Sequence, residues 1–295
     1  MWFGSDESHY DRRFDRRGDR YDDRYDDRYD DRYDHDEEWH DPDDYWFVSR
    51  QPLAVFLFIV PMIAAYELGA HYINTGSAEP VRNGADYWLR SGLARFGLNQ
   101  PWLLPAVLLG GLAVWQVFGR YRWRVSAGTL LGMLAESLAY GMCLVLIGEA
   151  QEKIFREFEP VPVSAPQAAI ALPDSLDLTQ AISFLGAGIY EEVLFRAALL
   201  PLCFVLFRAV APRRVAICLA VVVSSLLFSG AHYVGAAGDN FNVFGFVFRA
   251  IAGVVFAIVM VLRGFGISVG THAAYDILVG ILLPANLLET WLSGG

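Results

Sequence analysis

From Leu53 onward the sequence returns repeatedly to apolar runs of about 20 residues, the length a helix needs to cross a ~30 Å hydrocarbon core. Seven candidate spans occur, each bounded by Pro, Gly or charge: about 52–73, 101–119, 126–149, 180–207, 214–235, 243–262 and 266–288. The fourth is long enough to hide a break at Pro201. The expected fold is all-α, a polytopic transmembrane helix bundle of about seven or eight spans. A soluble enzyme is ruled out.

Charge divides the chain. Residues 1–50 hold 18 of the 33 acidic side chains and 9 of the 23 basic ones, a balance of −9. The remaining residues, with 15 acidic and 14 basic side chains, carry only −1. The first segment repeats a four-residue unit (Tyr21-Asp22-Asp23-Arg24, Tyr25-Asp26-Asp27-Arg28, Tyr29-Asp30-Asp31-Arg32) with almost no aliphatic residues. It buries too little apolar surface to offset chain ordering and is expected to be a disordered tail. It is not a secretory signal, because the first apolar run begins only after residue 50; the first span must act as an uncleaved anchor. The expected organisation is a tail over 1–50, two spans with their loops over 51–124, and the remaining spans over 125–290. Cys143, Cys203 and Cys218 sit in or beside apolar runs with no CxxC pair, and read as small core hydrophobes.

Lys and Arg counts set orientation. Arg120, Arg122, Arg124, Arg208, Arg213, Arg214 and Arg263 lie in one set of connections; Arg82, Arg90, Arg95, Lys153 and Arg156 lie in the other. Seven against five favours a cytoplasmic N terminus, in an integral protein of the cytoplasmic membrane.

The fourth span carries Gly188-Ile189-Tyr190-Glu191-Glu192-Val193-Leu194-Phe195-Arg196. A charged residue at the centre of a membrane helix costs roughly 2.5 to 3.5 kcal/mol, against about 0.3 to 0.6 returned by each Leu or Phe, so three such groups need partners. Glu192 and Arg196 are four apart and share a face; Glu191 points about 100° away and is left over. Two of the six histidines lie in later spans. Phe228 stands one turn before His232, where its ring can shield the imidazole. Asp276 stands one turn after His272, and Ala273 and Ala274 permit close helix approach. Two histidines beside an unpaired glutamate and an aspartate point to a reactive cluster. Glu67, His71, Glu136 and Arg249 read as interhelical partners or snorkelling groups.

At these residues the sequence resembles the CAAX protease and bacteriocin-processing (CPBP, or Abi) family of intramembrane proteases, whose pattern is Glu-Glu-x-x-x-Arg, Phe-x-x-x-His and His-x-x-x-Asn/Asp on separate helices. All three are present in order, at Glu191-Glu192 with Arg196, Phe228 with His232, and His272 with Asp276. The resemblance covers about residues 125–290. It implies hydrolysis of a peptide bond in a membrane-associated or lipidated substrate, with membrane lipid rather than nucleic acid as the other partner. Carried over, Glu191 and His232 activate the attacking water, and His272 and Asp276 stabilise the oxyanion or position the substrate. Glu192 and Arg196 hold the site together. Metal dependence stays open: Glu191, His232 and His272 could instead be three ligands of a catalytic zinc, although no His-Glu-x-x-His occurs and a metal-free glutamate mechanism is favoured.

Other membrane chemistries fit less well. A rhomboid-like dyad needs Gly-x-Ser-Gly, but Leu227-Phe228 precede Ser229; a presenilin-like Gly-x-Gly-Asp needs Gly where Ala236 stands. A transporter would also bury Glu, Arg and His, but no inverted repeat is evident. An inactive scaffold on the same fold is the remaining alternative. One geometric requirement follows from a shared site. If spans five and seven run in the same direction, His232 lies about 18 residues from the inner end of its span and His272 about six, a mismatch of roughly 18 Å. Span five must therefore end near His232 at mid-depth, with the segment Gly235-Ala236-Ala237-Gly238-Asp239-Asn240 lining a wet cavity.

Overall fold

A computed structural model describes residues 44–74, 82–158, 178–235 and 238–282. The repeat tail falls outside the described residues as far as residue 43, as do Ala236 and Ala237 of the glycine-rich segment. Among the described residues the protein is all helix. A short α1 (Tyr45–Val48) leads into α2 (Pro52–Asn74), followed by α3 (Gly84–Ala94), α4 (Leu103–Phe118) and a long α5 (Ala127–Phe158). Next, α6 (Leu178–Gly186), a π-helix (Ala187–Leu199) and α7 (Leu200–Arg208) run end to end. The chain continues through α8 (Arg213–Ala231), α9 (Val243–Arg263), α10 (Phe265–Ile277) and a π turn (Leu278–Leu282).

Helical segments occupy all seven places where the apolar runs lie. Five are in themselves long and apolar enough to cross a membrane: 52–73, 127–157, 213–231, 243–263 and 265–282. The helix α4 is shorter, at 16 residues. The fourth run does not break at Pro201. That proline stands in the first turn of α7, where its missing N–H is least disruptive, and the departure from α-geometry lies upstream, in the π-helix.

Leu131, Leu134 and Leu138 on α5, Val215, Val222 and Leu226 on α8, and Ile258, Val261 and Leu262 on α9 are exposed. Apolar surface on this scale suits acyl chains rather than water. The same one-sided burial corrects the reading of the cysteines: Cys203 is buried, but Cys143 and Cys218 lie on outward helix faces. A membrane helix is apolar all round, so apolar neighbours do not show which face is inside.

The helix α10 is the most enclosed element, with every residue from Phe265 to Ala274 buried. It runs parallel to α5, Gly270 lying against Ser137 and Ala274 and Tyr275 against Gly141. It starts partway along its neighbour, since Gly266 packs on Met133, six residues into α5. A buried turn sets this offset. Arg263 is 1% exposed and pairs with Glu136 on α5, donating from Nε to Oε1 and from Nη2 to Oε2 at 2.8 Å. Tyr45 donates to the same carboxylate at 2.6 Å, and the Trp46 ring lies 3.5 Å from the guanidinium. The turn residue Gly264 has φ +88° and ψ 175°, a region open in practice only to glycine. At the other end of the problem, α8 stops at Ala231 and His232 caps it. The two histidines therefore meet because one helix ends early and the other begins deep in the bundle.

Candidate active site

The π-helix brings two carboxylates and a guanidinium into the bundle. Glu192 is fully buried and saturated with partners. Its Oε1 lies 3.1 Å from Arg196 Nη1 and 2.9 Å from His272 Nδ1, and its Oε2 accepts from Ser268 Oγ at 2.6 Å. Arg196 in turn donates to the Gly253 carbonyl at 3.4 Å and lies 4.1 Å from the Phe228 ring centroid, which gives its charge an aromatic face. The pair expected from four-residue spacing is present, and it also reaches across to α10.

Glu191 has a different environment. Its Oε1 accepts from Asn83 Nδ2 at 2.9 Å. Its Oε2 lies 3.8 Å from Nε2 of both His232 and His272, and this buried oxygen has no hydrogen-bond donor from the protein. No arginine among the described residues forms an ion pair with it: Arg249 on α9 pairs with Asp239 and lies 5.3 Å from the Tyr233 ring.

Both imidazoles are oriented by their other nitrogen. The Phe228 carbonyl lies 2.9 Å from His232 Nδ1, so that nitrogen carries a proton and donates. On His272 the Nδ1 faces the Glu192 carboxylate in the same way. Each ring therefore turns Nε2 toward Glu191. Phe228 meets His232 edge-on at 4.9 Å between centroids and His272 at 5.9 Å, while Phe256 stacks on His272 at 4.4 Å. Asp276 Oδ2 sits 3.7 Å from His272 Nε2. All six residues singled out on the sequence lie in one cluster: Glu191, Glu192, Arg196, His232, His272 and Asp276. Beside His232 the chain folds back, the Asp239 N–H donating to the His232 carbonyl at 2.8 Å.

The remaining ionisable residues form structural links. Glu67 accepts from Tyr190 at 2.6 Å and from Arg90 at 2.6 Å. Asp86, fully buried, accepts from Tyr66 at 2.8 Å and from Arg82 at 2.7 Å. These contacts fasten α2 and α3 to the π-helix directly beside Glu191. Sequence reasoning missed Asn83, Ser268 and α3 itself. An Asn ahead of a helical segment is a legible N-cap signal, but nothing in residue order links it to a carboxylate 108 positions later.

No group of three His, Cys, Asp or Glu side chains among the described residues is arranged to hold a metal ion.

Residues 176–278 match the family model described as type II CAAX prenyl endopeptidase Rce1-like. The match spans all three motifs and agrees with the resemblance read from them. It supports an intramembrane endopeptidase of the CAAX-protease type, in a protein whose apolar helices mark it as integral to a membrane. No curated protein and no solved structure matches the chain.

Proposed function

We propose that this protein is a glutamate-dependent intramembrane endopeptidase acting on a membrane-associated or lipidated peptide, with residues 125–290 as its protease core. The observation that carries the reading is the Glu191 Oε2 atom, buried, without a protein donor, and 3.8 Å from Nε2 of each histidine. An oxygen kept in that condition costs stability unless something else hydrogen-bonds to it, and a water in reach of both Oε2 and His232 Nε2 can donate to both. Glu191 accepts the water's proton as the oxygen attacks the scissile carbonyl carbon. His272, with Nε2 protonated, donates to the oxyanion, and Asp276 supports that charge from 3.7 Å. Glu191 then passes its proton to the leaving amine as the C–N bond breaks. Glu192, Arg196 and Ser268 hold His272 in place and take no part in proton transfer.

The description of the matched family makes a farnesylated CAAX peptide the first probe. Cells producing Glu191→Gln, compared with cells producing the parent, identify native substrates as membrane peptides that accumulate uncleaved by mass spectrometry. In vesicles, Glu191→Gln is expected to lose about 10²- to 10⁴-fold in turnover, the usual range for a general base. Parental turnover by this variant, with no accumulating peptide, overturns the reading.

A further inference from the structure

We infer that Asn83, outside the family-matched region, is a positioning residue that sets the working orientation of Glu191; the inference rests on the proposed role of that carboxylate. Both ends of the Asn83 amide are committed. Its Oδ1 accepts from the Ala85 N–H at 2.8 Å and so caps α3, while its Nδ2 donates to Glu191 Oε1 at 2.9 Å. The cap fixes which end of the amide is the acceptor, so the donor is the end that meets the glutamate. With Oε1 occupied, the carboxylate turns Oε2 toward His232 and His272.

The mounting of Asn83 is rigid. Its backbone N–H donates to the Tyr66 hydroxyl at 3.3 Å, and that hydroxyl donates to the buried Asp86. Arg82 and Arg90 bracket Asp86 from one turn on either side. The whole α3 segment thus acts as a bracket presenting one amide N–H to the base. On the far side of Glu191 the facing groups are His232 from the end of α8 and His272 and Asp276 from α10, and among the described residues the amide is the side chain that donates a hydrogen bond to the carboxylate.

The two duties of Asn83 can be separated. Ser and Asp are as good as Asn at an N-cap, but a serine hydroxyl is too short to reach the glutamate and an aspartate brings a second carboxylate in place of the donor. In the full-length protein in vesicles, Asn83→Ser is expected to unfold within a few degrees of the parent, and Asn83→Asp at a lower temperature because it sets a second carboxylate against Glu191. Each should lower kcat on the farnesylated CAAX peptide on the order of 10²-fold, the cost of misplacing a reacting group, with KM within about twofold. In infrared difference spectra the Glu191 carboxylate band, assigned by its loss in Glu191→Gln, should shift in Asn83→Ser. An unshifted band and parental kcat in both Asn83 variants, with Glu191→Gln inactive, overturn the positioning role. Parental kcat in Glu191→Gln overturns the protease reading instead, and the infrared band then still reports whether Asn83 holds the carboxylate.

Discussion

His272 Nδ1 and Glu192 Oε1, 80 residues apart in sequence, are 2.9 Å apart in the bundle, and the same carboxylate oxygen lies 3.1 Å from Arg196. One carboxylate thus ties the π-helix to α10 and fixes the ring that faces Glu191. Adjacent glutamates have opposite assignments: Glu192 is saturated by partners and Glu191 is left with one free oxygen.

Removing the first should unfold the protein more readily than removing the second. Glu192→Ala strands the Arg196 guanidinium in a site where it is 2% exposed, and breaking a buried ion pair in this way costs about 3 to 5 kcal/mol. Arg196→Ala should cost a similar amount for the complementary reason. Glu191→Gln keeps the acceptor for Asn83 and removes a charge whose nearest basic groups are two imidazoles at 3.8 Å, with no arginine stranded, so it should lose far less stability than Glu192→Ala. Thermal unfolding in detergent micelles checks the order; equal losses for Glu191→Gln and Glu192→Ala would contradict it.

Close approach of two backbones holds the imidazole of α10 near the π-helix. A Cβ placed on Gly188 would lie 2.7 Å from the Ala273 Cβ and 2.8 Å from its backbone nitrogen. Gly188→Ala must therefore push α10 away at the residue next to His272, at about 1 to 3 kcal/mol of overpacking, with kcat reduced. Adding Ala273→Gly relieves the side-chain clash but not the backbone one, so the double variant should recover part of the stability. Additive losses in a double-mutant cycle would show that the two residues do not meet.

The turn before α10 is expected to control activity from a distance. Gly264→Ala forces a Cβ into a backbone region with φ +88° and ψ 175°, costing about 1 to 3 kcal/mol. Because this turn sets how far α10 is offset along α5, relaxation there moves His272. Turnover measured below the unfolding temperature should fall; an unchanged kcat in a destabilised variant would assign the turn a purely structural role.

The ionisable motifs were legible because membrane burial makes each charge expensive, and four-residue spacing on a helix places Glu192 with Arg196 and Phe228 with His232. The depth of the two histidines was not legible from span lengths. It depends on a buried arginine, Arg263, joined to Glu136 from another helix, and on α8 ending at the histidine itself. The π-geometry of Ala187–Leu199 leaves no composition signal, and α3 was hidden in what charge counting treats as a loop. Asn83 escaped for the same reason: its capping role is local, whereas its bond to Glu191 is tertiary.

Metal removal separates the two chemistries the motifs allow. A catalytic zinc needs three protein donors at about 2.0 to 2.2 Å from one point. Glu191, His232 and His272 approach one another, with Oε2 at 3.8 Å from each Nε2, but among the described residues no such triad is arranged to hold an ion. The glutamate mechanism predicts that protein purified through chelator, with elemental analysis showing far less than one metal per chain, keeps its full kcat on the farnesylated CAAX peptide. Under the same mechanism, added zinc should leave kcat unchanged or lower it by occupying the carboxylate that must accept the proton. Activity lost on chelation and restored stoichiometrically by zinc would transfer the role of Glu191 from base to ligand.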